Sequence, residues 1–188
     1  MTALVITGSP RKNGVSSIMT KCFEDLWREA SGENQIILID SYKTAAKPCI
    51  HCGECKKKNS CIYNDLDVLD AALKTAGALV VSSPVYVQSF PAPFKAILDR
   101  MQRYFEEKYA LGVSNPIPKH KRALFMTAQG SQERPLLMEE QLRLSLRLMN
   151  ATLERSIAVL GTDFREPDFD FIRKEIRLFI DLFTNNPA

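Results

Sequence analysis

The 188-residue chain has few of the features on which several common kinds of protein depend. Histidine occurs only twice, as His51 and His120, and neither stands in a catalytic setting, which disfavours hydrolases built on a Ser–His–Asp triad. Apolar runs such as LVIT and ALVV are far too short to cross a bilayer. The net charge is only +3, and no long basic stripe alternates with aromatic residues, so nucleic-acid binding is disfavoured.

The amino terminus also lacks the basic-then-apolar order of a secretory signal, because Arg11 and Lys12 follow its apolar stretch. We therefore expect a cytoplasmic protein, in which thiols stay reduced. Four of the five cysteines nevertheless lie close together, between Cys49 and Cys61. In a reducing compartment such a cluster indicates metal or redox chemistry rather than disulfide bonds.

Two kinds of apolar stretch alternate along the chain. Short apolar runs predict five strands, at residues 3–9, 35–40, 77–84, 122–130 and 153–161. Stretches with helical spacing predict five helices, at residues 16–30, 66–76, 90–107, 135–151 and 168–183. Such alternation requires a mainly parallel sheet covered on both faces. We expect one α/β domain over residues 1–188: a flavodoxin-like, doubly wound, five-stranded parallel sheet with a cysteine-rich insertion, residues 47–65, after the second strand.

The loop after the first strand, TGSPRKNGVSS, has the position and the side chains of a phosphate site. Ligands of doubly wound sheets bind beyond the carboxyl ends of the strands, which selects residues 8–17, 82–91 and 128–133. The loop matches neither the nucleotide-triphosphatase pattern nor G-x-G-x-x-G. Its donors suit a phosphate monoester at a helix N-terminus, although a solvated turn before a capped helix is the alternative. These donors are Ser9, Arg11, Asn13, Ser16 and Ser17, and Ser16 or Ser17 is also expected to cap the helix.

Three stretches together resemble a known family: GSPRKNGVSS, SSPVYVQSFPAPFKAILDR and the cysteine insertion. They are similar to the NADPH-dependent FMN reductases and iron–sulfur flavoproteins over about residues 3–130. The resemblance implies bound FMN, NADPH or NADH as electron donor, a small-molecule or protein electron acceptor, and a homodimer or a tetramer built of dimers. A non-catalytic electron carrier or redox sensor is the alternative function.

The resemblance also assigns residues to the FMN. The five loop donors would hold its phosphate, and Pro84, Val85, Tyr86 and Val87 would line the isoalloxazine ring. Another side of the ring pocket would come from the stretch between Thr127 and Gly130. A flavin needs such a wall and few acid–base side chains, because the cofactor itself carries the reaction. No catalytic side chain is therefore expected.

The four clustered cysteines have the spacing C-x2-C-x2-C-x5-C, in the order Cys49, Cys52, Cys55 and Cys61. Three thiolates at two-residue gaps can wrap a small cluster and a fourth can close it, as in [4Fe–4S] sites. Structural zinc is an alternative, although its ligands usually form two separated pairs. A third interpretation is that the loop holds no metal, since many flavin reductases of this kind carry a similar stretch with FMN alone.

Two charged residues near the cysteines have structural interpretations. Asp65 is expected to cap the helix that begins near Leu66. Arg100 matches the family pattern, and it is expected to form a salt bridge on its helix or a contact between subunits.

Overall fold

The computed structural model describes residues 1–184, and its centre is a sheet of five parallel strands. The strands are β1 (Thr2–Thr7), β2 (Gln35–Asp40), β3 (Ala78–Pro84), β4 (Lys121–Gln129) and β5 (Ala151–Leu160). They lie in the order β2-β1-β3-β4-β5, and all four pairings are parallel. The predicted doubly wound, flavodoxin-like sheet is confirmed. Its direction of winding reverses between β1 and β3, the place where such sheets bind ligands.

Seven α-helices accompany the strands in the described part of the chain. They are α1 (Val15–Ala30), α2 (Ser41–Thr44), α3 (Asp67–Thr75), α4 (Ala92–Arg100), α5 (Gln102–Tyr109), α6 (Leu136–Leu148) and α7 (Phe169–Thr184), with a 3-10 turn at Glu54–Lys56. The predicted single-domain range of 1–188 includes residues 185–188, which lie outside the described residues. Among residues 1–184, no helix combines the length and the hydropathy that a bilayer crossing requires.

One helical prediction was wrong, and one short helix was not predicted. The predicted helix 90–107 is two helices, because the chain tightens at Met101, whose N–H donates to the carbonyl of Leu98 at 3.0 Å. The short helix α2 was not predicted, since four residues carry no periodicity. It is started by Asp40, whose carboxylate accepts hydrogen bonds from the N–H groups of Tyr42 and Lys43.

Each face of the sheet carries its own hydrophobic core, because successive strand residues point to opposite faces. Leu4 and Ile6 of β1 face the helices α3, α4 and α6. Ala3 and Val5 face α1 and α7, where the rings of Phe23 and Trp27 stack at 5.6 Å, and where Phe179 also packs. With both faces covered, the carboxyl edge of the sheet is the open place where loops can form a site.

Candidate functional site

A cleft of about 510 Å³ opens at the carboxyl ends of β1, β3 and β4. That volume is within the range of small-molecule sites. The cleft is lined by three stretches that the sequence pointed to, at residues 9–16 without Lys12, 84–86 and 128–130, and by Thr162 and Asp163 beyond β5. The chain therefore brings most of the predicted cofactor-binding residues to one concave surface.

The N-terminus of α1 opens into this cleft without a cap. The helix begins at Val15 after Gly14, and none of the described side chains accepts a hydrogen bond from its first N–H groups. The prediction of a serine cap was wrong: Ser17 donates instead to the carbonyl of Arg11 at 2.6 Å, and Ser16 is buried. The orphan N–H groups of a 16-residue helix, with its dipole, are left to attract an anion.

The loop before α1 is folded around the carbonyl of Arg11. That oxygen accepts hydrogen bonds from the hydroxyl of Ser9 at 3.1 Å and from the N–H of Gly14 at 3.2 Å. The exposed side chains of Arg11 and Asn13 remain along the cleft, with Ser9 and Ser16. Ser17 does not line it and lies on the adjoining surface. Four of the five predicted phosphate donors thus surround the uncapped helix end.

Pro84, Val85 and Tyr86 form the second wall of the cleft. After them the chain turns back in a two-residue hairpin, in which Tyr86 and Ser89 exchange two backbone hydrogen bonds of 2.9 Å. The turn places Val87 at φ 51° and Gln88 at φ 57°. Positive φ is strained for a β-branched residue. Val87 is fully exposed at the tip and does not line the cleft, unlike the other three predicted wall residues.

The far side of the cleft contains residues that the sequence analysis did not select. Ala128, Gln129 and Gly130 line the cleft as expected, whereas Thr127 is buried inside the sheet. Asp163 enters from the loop after β5, and its carboxylate occupies the space that a Cβ on Gly130 would need. The rule that ligands bind at strand ends could have found Asp163, because it follows β5 by three residues.

A smaller, separate pocket is lined by all four clustered cysteines. The chain reverses twice between them, with His51 at φ 53° and Gly53 at φ 76°. Burial, then the carboxylate of Glu106 and the thiols of Cys49 and Cys52, raise the pKa of Cys55. Among the described residues, no three His, Cys, Asp or Glu side chains are grouped closely enough to hold a single metal ion. The structure thus places four thiols around one pocket without a closed single-ion site.

Arg100 of α4 fastens both ends of the cysteine-rich insertion. Its Nη1 donates to the carbonyl of Lys47 at 3.0 Å and to the carboxylate of Asp65 at 2.9 Å, and its Nη2 donates to the carbonyl of Tyr63 at 3.2 Å. The same carboxylate accepts from the N–H of Lys47 at 2.8 Å. The capping role predicted for Asp65 was wrong, because its side chain makes this long-range link while Leu66 precedes α3 without a side-chain cap. We call this group of four residues the loop clamp.

Two buried donors at the thiol pocket have no partner. Arg100 and Arg103 both line the pocket, and the Nε atom of each is buried without a hydrogen bond among the described residues. Native proteins rarely leave such groups unpaired. Four thiols with two orphan cationic donors fit a sulfur-rich anionic group better than they fit an apolar ligand.

The profile of the NADPH-dependent FMN reductase family matches residues 1–164. The chain belongs to this family. An iron–sulfur flavoprotein of Methanosarcina thermophila is 29% identical to this FMN reductase family member over 107 residues, which are 56% of this chain and 55% of the relative. A second iron–sulfur flavoprotein, from Archaeoglobus fulgidus, is 33% identical over 105 residues, 55% of this chain and 47% of the relative. The family member thus spans about half the length of these curated relatives.

Solved structures agree with the fold of this family member. An FMN-dependent NADH-azoreductase from Bacillus anthracis, solved in complex with FMN, superposes with a TM-score of 0.63. The alignment covers 98% of this chain and 99% of the azoreductase at 14% identity. At that identity the likeness establishes the shared flavodoxin-like fold.

Proposed function

We propose that this FMN reductase family member binds FMN in the cleft at the strand ends and passes electrons from NADPH or NADH through it to an acceptor. The observation that carries the proposal is the uncapped N-terminus of α1, which opens into the cleft between Arg11 and Asn13 on one side and the Pro84–Tyr86 wall on the other. A phosphate monoester is an anion, and it would accept hydrogen bonds from these donors at the positive end of the helix dipole. The apolar wall then suits the flat ring attached to it.

Each part of the cleft has a defined task in this proposal. The N–H groups of α1 and the side chains of Ser9, Arg11 and Asn13 bind the phosphate. Tyr86 and Val85 orient the ring, and Tyr42 of α2 lies near Tyr86, where burial and then the phenol of Tyr86 raise the pKa of Tyr42. Bound FMN would supply the hydride-accepting ring, so the protein provides binding and orientation rather than acid–base catalysis.

The remaining predicted residues act around this core of contacts. Ser17 holds the carbonyl of Arg11 in place, and Thr127 lies buried beneath the neighbouring cleft residues of β4. Val87 and Gly130 stand at two edges of the cleft, one at the exposed hairpin tip and one against Asp163. A side chain at position 130 would meet the carboxylate of Asp163, which is exposed and would have to move aside.

We further propose that Cys49, Cys52, Cys55 and Cys61 hold a [4Fe–4S] cluster. Support comes from their arrangement around one pocket, from the two orphan arginine donors there, and from the relatives that are named iron–sulfur flavoproteins. A cluster with four irons takes one thiolate at each, so its ligands stand further apart than ligands that share one ion. Such a cluster would make one-electron transfer available beside the two-electron chemistry of a flavin.

The proposed acceptor is a small molecule or a protein, and the proposed assembly is a homodimer or a tetramer of dimers. The exposed side chains of Leu136 and Leu137, at the start of α6, are candidates for the subunit contact. Apolar surface of this kind is typical of interfaces.

The decisive experiment is to purify the protein without oxygen, measure its FMN, iron and sulfide, and then add NADPH or NADH. We expect one FMN per chain and loss of the yellow flavin absorbance with at least one nicotinamide. Flavin that stays oxidised with both donors, but is bleached by a reduced protein, would instead support the electron carrier. A colourless protein that binds no added FMN would refute the proposal.

The cluster is tested by a matched pair of serine variants. Cys52→Ser should lose iron and keep FMN, because it removes one of the four proposed ligands. Cys22→Ser is the control, since Cys22 is a half-buried thiol of α1 outside the insertion. Full iron in Cys52→Ser, or stoichiometric zinc in the purified protein, would contradict the cluster and leave the FMN proposal standing.

A further inference from the structure

We infer that Arg100 and Arg103 donate their Nε–H groups to the sulfur atoms of the thiol-bound cluster and thereby raise its reduction potential. The inference rests on the cluster proposed above. It concerns two residues that sequence spacing did not connect with the cysteines, and it assigns them to tuning rather than to binding the metal.

Arg100 has two N–H groups that the loop clamp does not use, its Nε–H and one of the two on Nη2. Both of its outer nitrogens are used by the loop clamp, on Lys47, Tyr63 and Asp65. The residue is 3% exposed, so water cannot easily satisfy its Nε, which has no partner among the described residues. These contacts hold the guanidinium in a fixed orientation at the edge of the thiol pocket.

Arg103 repeats this arrangement one helical turn later. Its Nη1 donates to Asp70 and its Nη2 to Glu107 at 3.4 Å, while its Nε is buried without a partner. It lies three positions after Arg100, across the break at Met101, and side chains at that spacing share one helical face. Both arginines line the pocket of the four thiols. The residues around the pocket therefore include four cysteines and two arginines whose Nε atoms have no partner within residues 1–184.

The charge balance gives the direction of the effect. When the cluster gains one electron, its charge becomes more negative by one, and no bond forms or breaks. Hydrogen bonds and positive charge beside the sulfurs stabilise that more negative state, which raises the potential. Glu106, which also lines the pocket, acts in the opposite direction, and Lys56 lies 3.8 Å from its carboxylate and offsets part of that charge. The arginines contribute through both their charge and their direct donors.

The test compares lysine variants, which keep the positive charge and remove the Nε donor. In Arg103→Lys, loaded with iron and sulfide without oxygen, the ratio of reduced to oxidised cluster at a fixed poise should fall about tenfold, or ~59 mV for a one-electron couple. Arg143→Lys is the matched control, because Arg143 pairs with Glu139 at the same four-residue spacing on α6, away from the pocket. Its potential should equal that of the wild type. The ratio is measured by redox titration monitored by electron paramagnetic resonance.

A second measurement needs no variant and covers the case in which Arg100→Lys fails to fold. In wild-type protein labelled with ¹⁵N at arginine, the reduced cluster should show a hyperfine coupling to ¹⁵N and to an exchangeable proton that disappears in D₂O. Absence of both couplings, or an unchanged potential in Arg103→Lys with full iron, would overturn the inference. Metal analysis separates these results from failure of the cluster itself, since a wild type without iron would overturn both proposals before any titration.

Discussion

Lys121 gives a pH-dependent stability that can be measured without knowing the reaction. It is the first residue of β4, it is fully buried, and its Nζ donates to the carbonyl of Lys119 at 2.5 Å. Burial, followed by repulsion from Lys119, lowers the pKa of Lys121 from 10.5 to about 8. At about 1.4 kcal/mol per pKa unit, this shift means that the charged amine lowers the free energy of unfolding by roughly 3 kcal/mol.

The sign follows from proton counting. Below pH 8 the folded and the unfolded chains both carry the proton, so Lys121 gives stability no slope. Between pH 8 and 10.5 the unfolded chain holds a proton that the folded chain has released, so the free energy of unfolding rises by up to ~1.4 kcal/mol per pH unit. Thiols and tyrosines in general also titrate in this pH range. Their contribution to the free energy of unfolding is shared by the wild type and a Lys121 variant, so it cancels in the difference between the two.

The assay is urea denaturation at pH 7–10.5 of the wild type and of Lys121→Met, followed by circular dichroism. The stability advantage of Lys121→Met should shrink by about 3 kcal/mol between pH 8 and 10.5, because only the wild type gains stability there. Lys174→Met is the control, since Lys174 is exposed on α7, and its difference from the wild type should stay flat. A flat difference for Lys121→Met as well would refute the reasoning.

Three further predictions concern the site and its supports. Arg11→Ala should weaken FMN binding about 10- to 150-fold by fluorescence titration, through loss of a charged hydrogen bond worth ~1.5–3 kcal/mol, while Arg28→Ala on α1 should not. Val87→Asn should raise the free energy of unfolding by ~1 kcal/mol in urea melts, because asparagine adopts positive φ more easily, whereas Val68→Asn in α3 should not. Asp65→Asn should lower the free energy of unfolding by ~3 kcal/mol, because it leaves the buried Arg100 without a counter-charge. An unchanged urea melt would contradict the loop clamp.

The sheet was predictable because its strands are short, mostly apolar runs, and the three inner strands β1, β3 and β4 are buried on both faces. The prediction of residues 77–84 differs from β3 by one residue. The break at Met101 was not predictable, because the buried positions Ile97, Met101 and Tyr104 continue one helical stripe across it. Periodicity records which face is buried and is insensitive to a single tightened turn.

That the loop after β1 lines the cleft was predictable from its place after a strand, whereas the hydrogen bonds of its serines were not. A serine beside a helix start can cap it or bind elsewhere, and Ser17 binds the carbonyl of Arg11 instead. The contact of Asp65 could not be predicted either. Its partner Arg100 lies 35 residues further along the chain, and capping rules consider only residues close in sequence. Asp163 belongs to no motif, and only the strand-end rule applied to β5 would have selected it.

The loop clamp joins the two ends of the insertion to α4. The segment between Lys47 and Tyr63 is therefore held at both ends by hydrogen bonds from Arg100, and none of these bonds involves a cysteine. We therefore expect a change in the length or the thiol content of the intervening segment to leave its entry and exit points in place, although its 3-10 turn also contacts α5. We likewise expect a segment grafted between those two points to be presented beside the same five-stranded sheet without redesign of its strands.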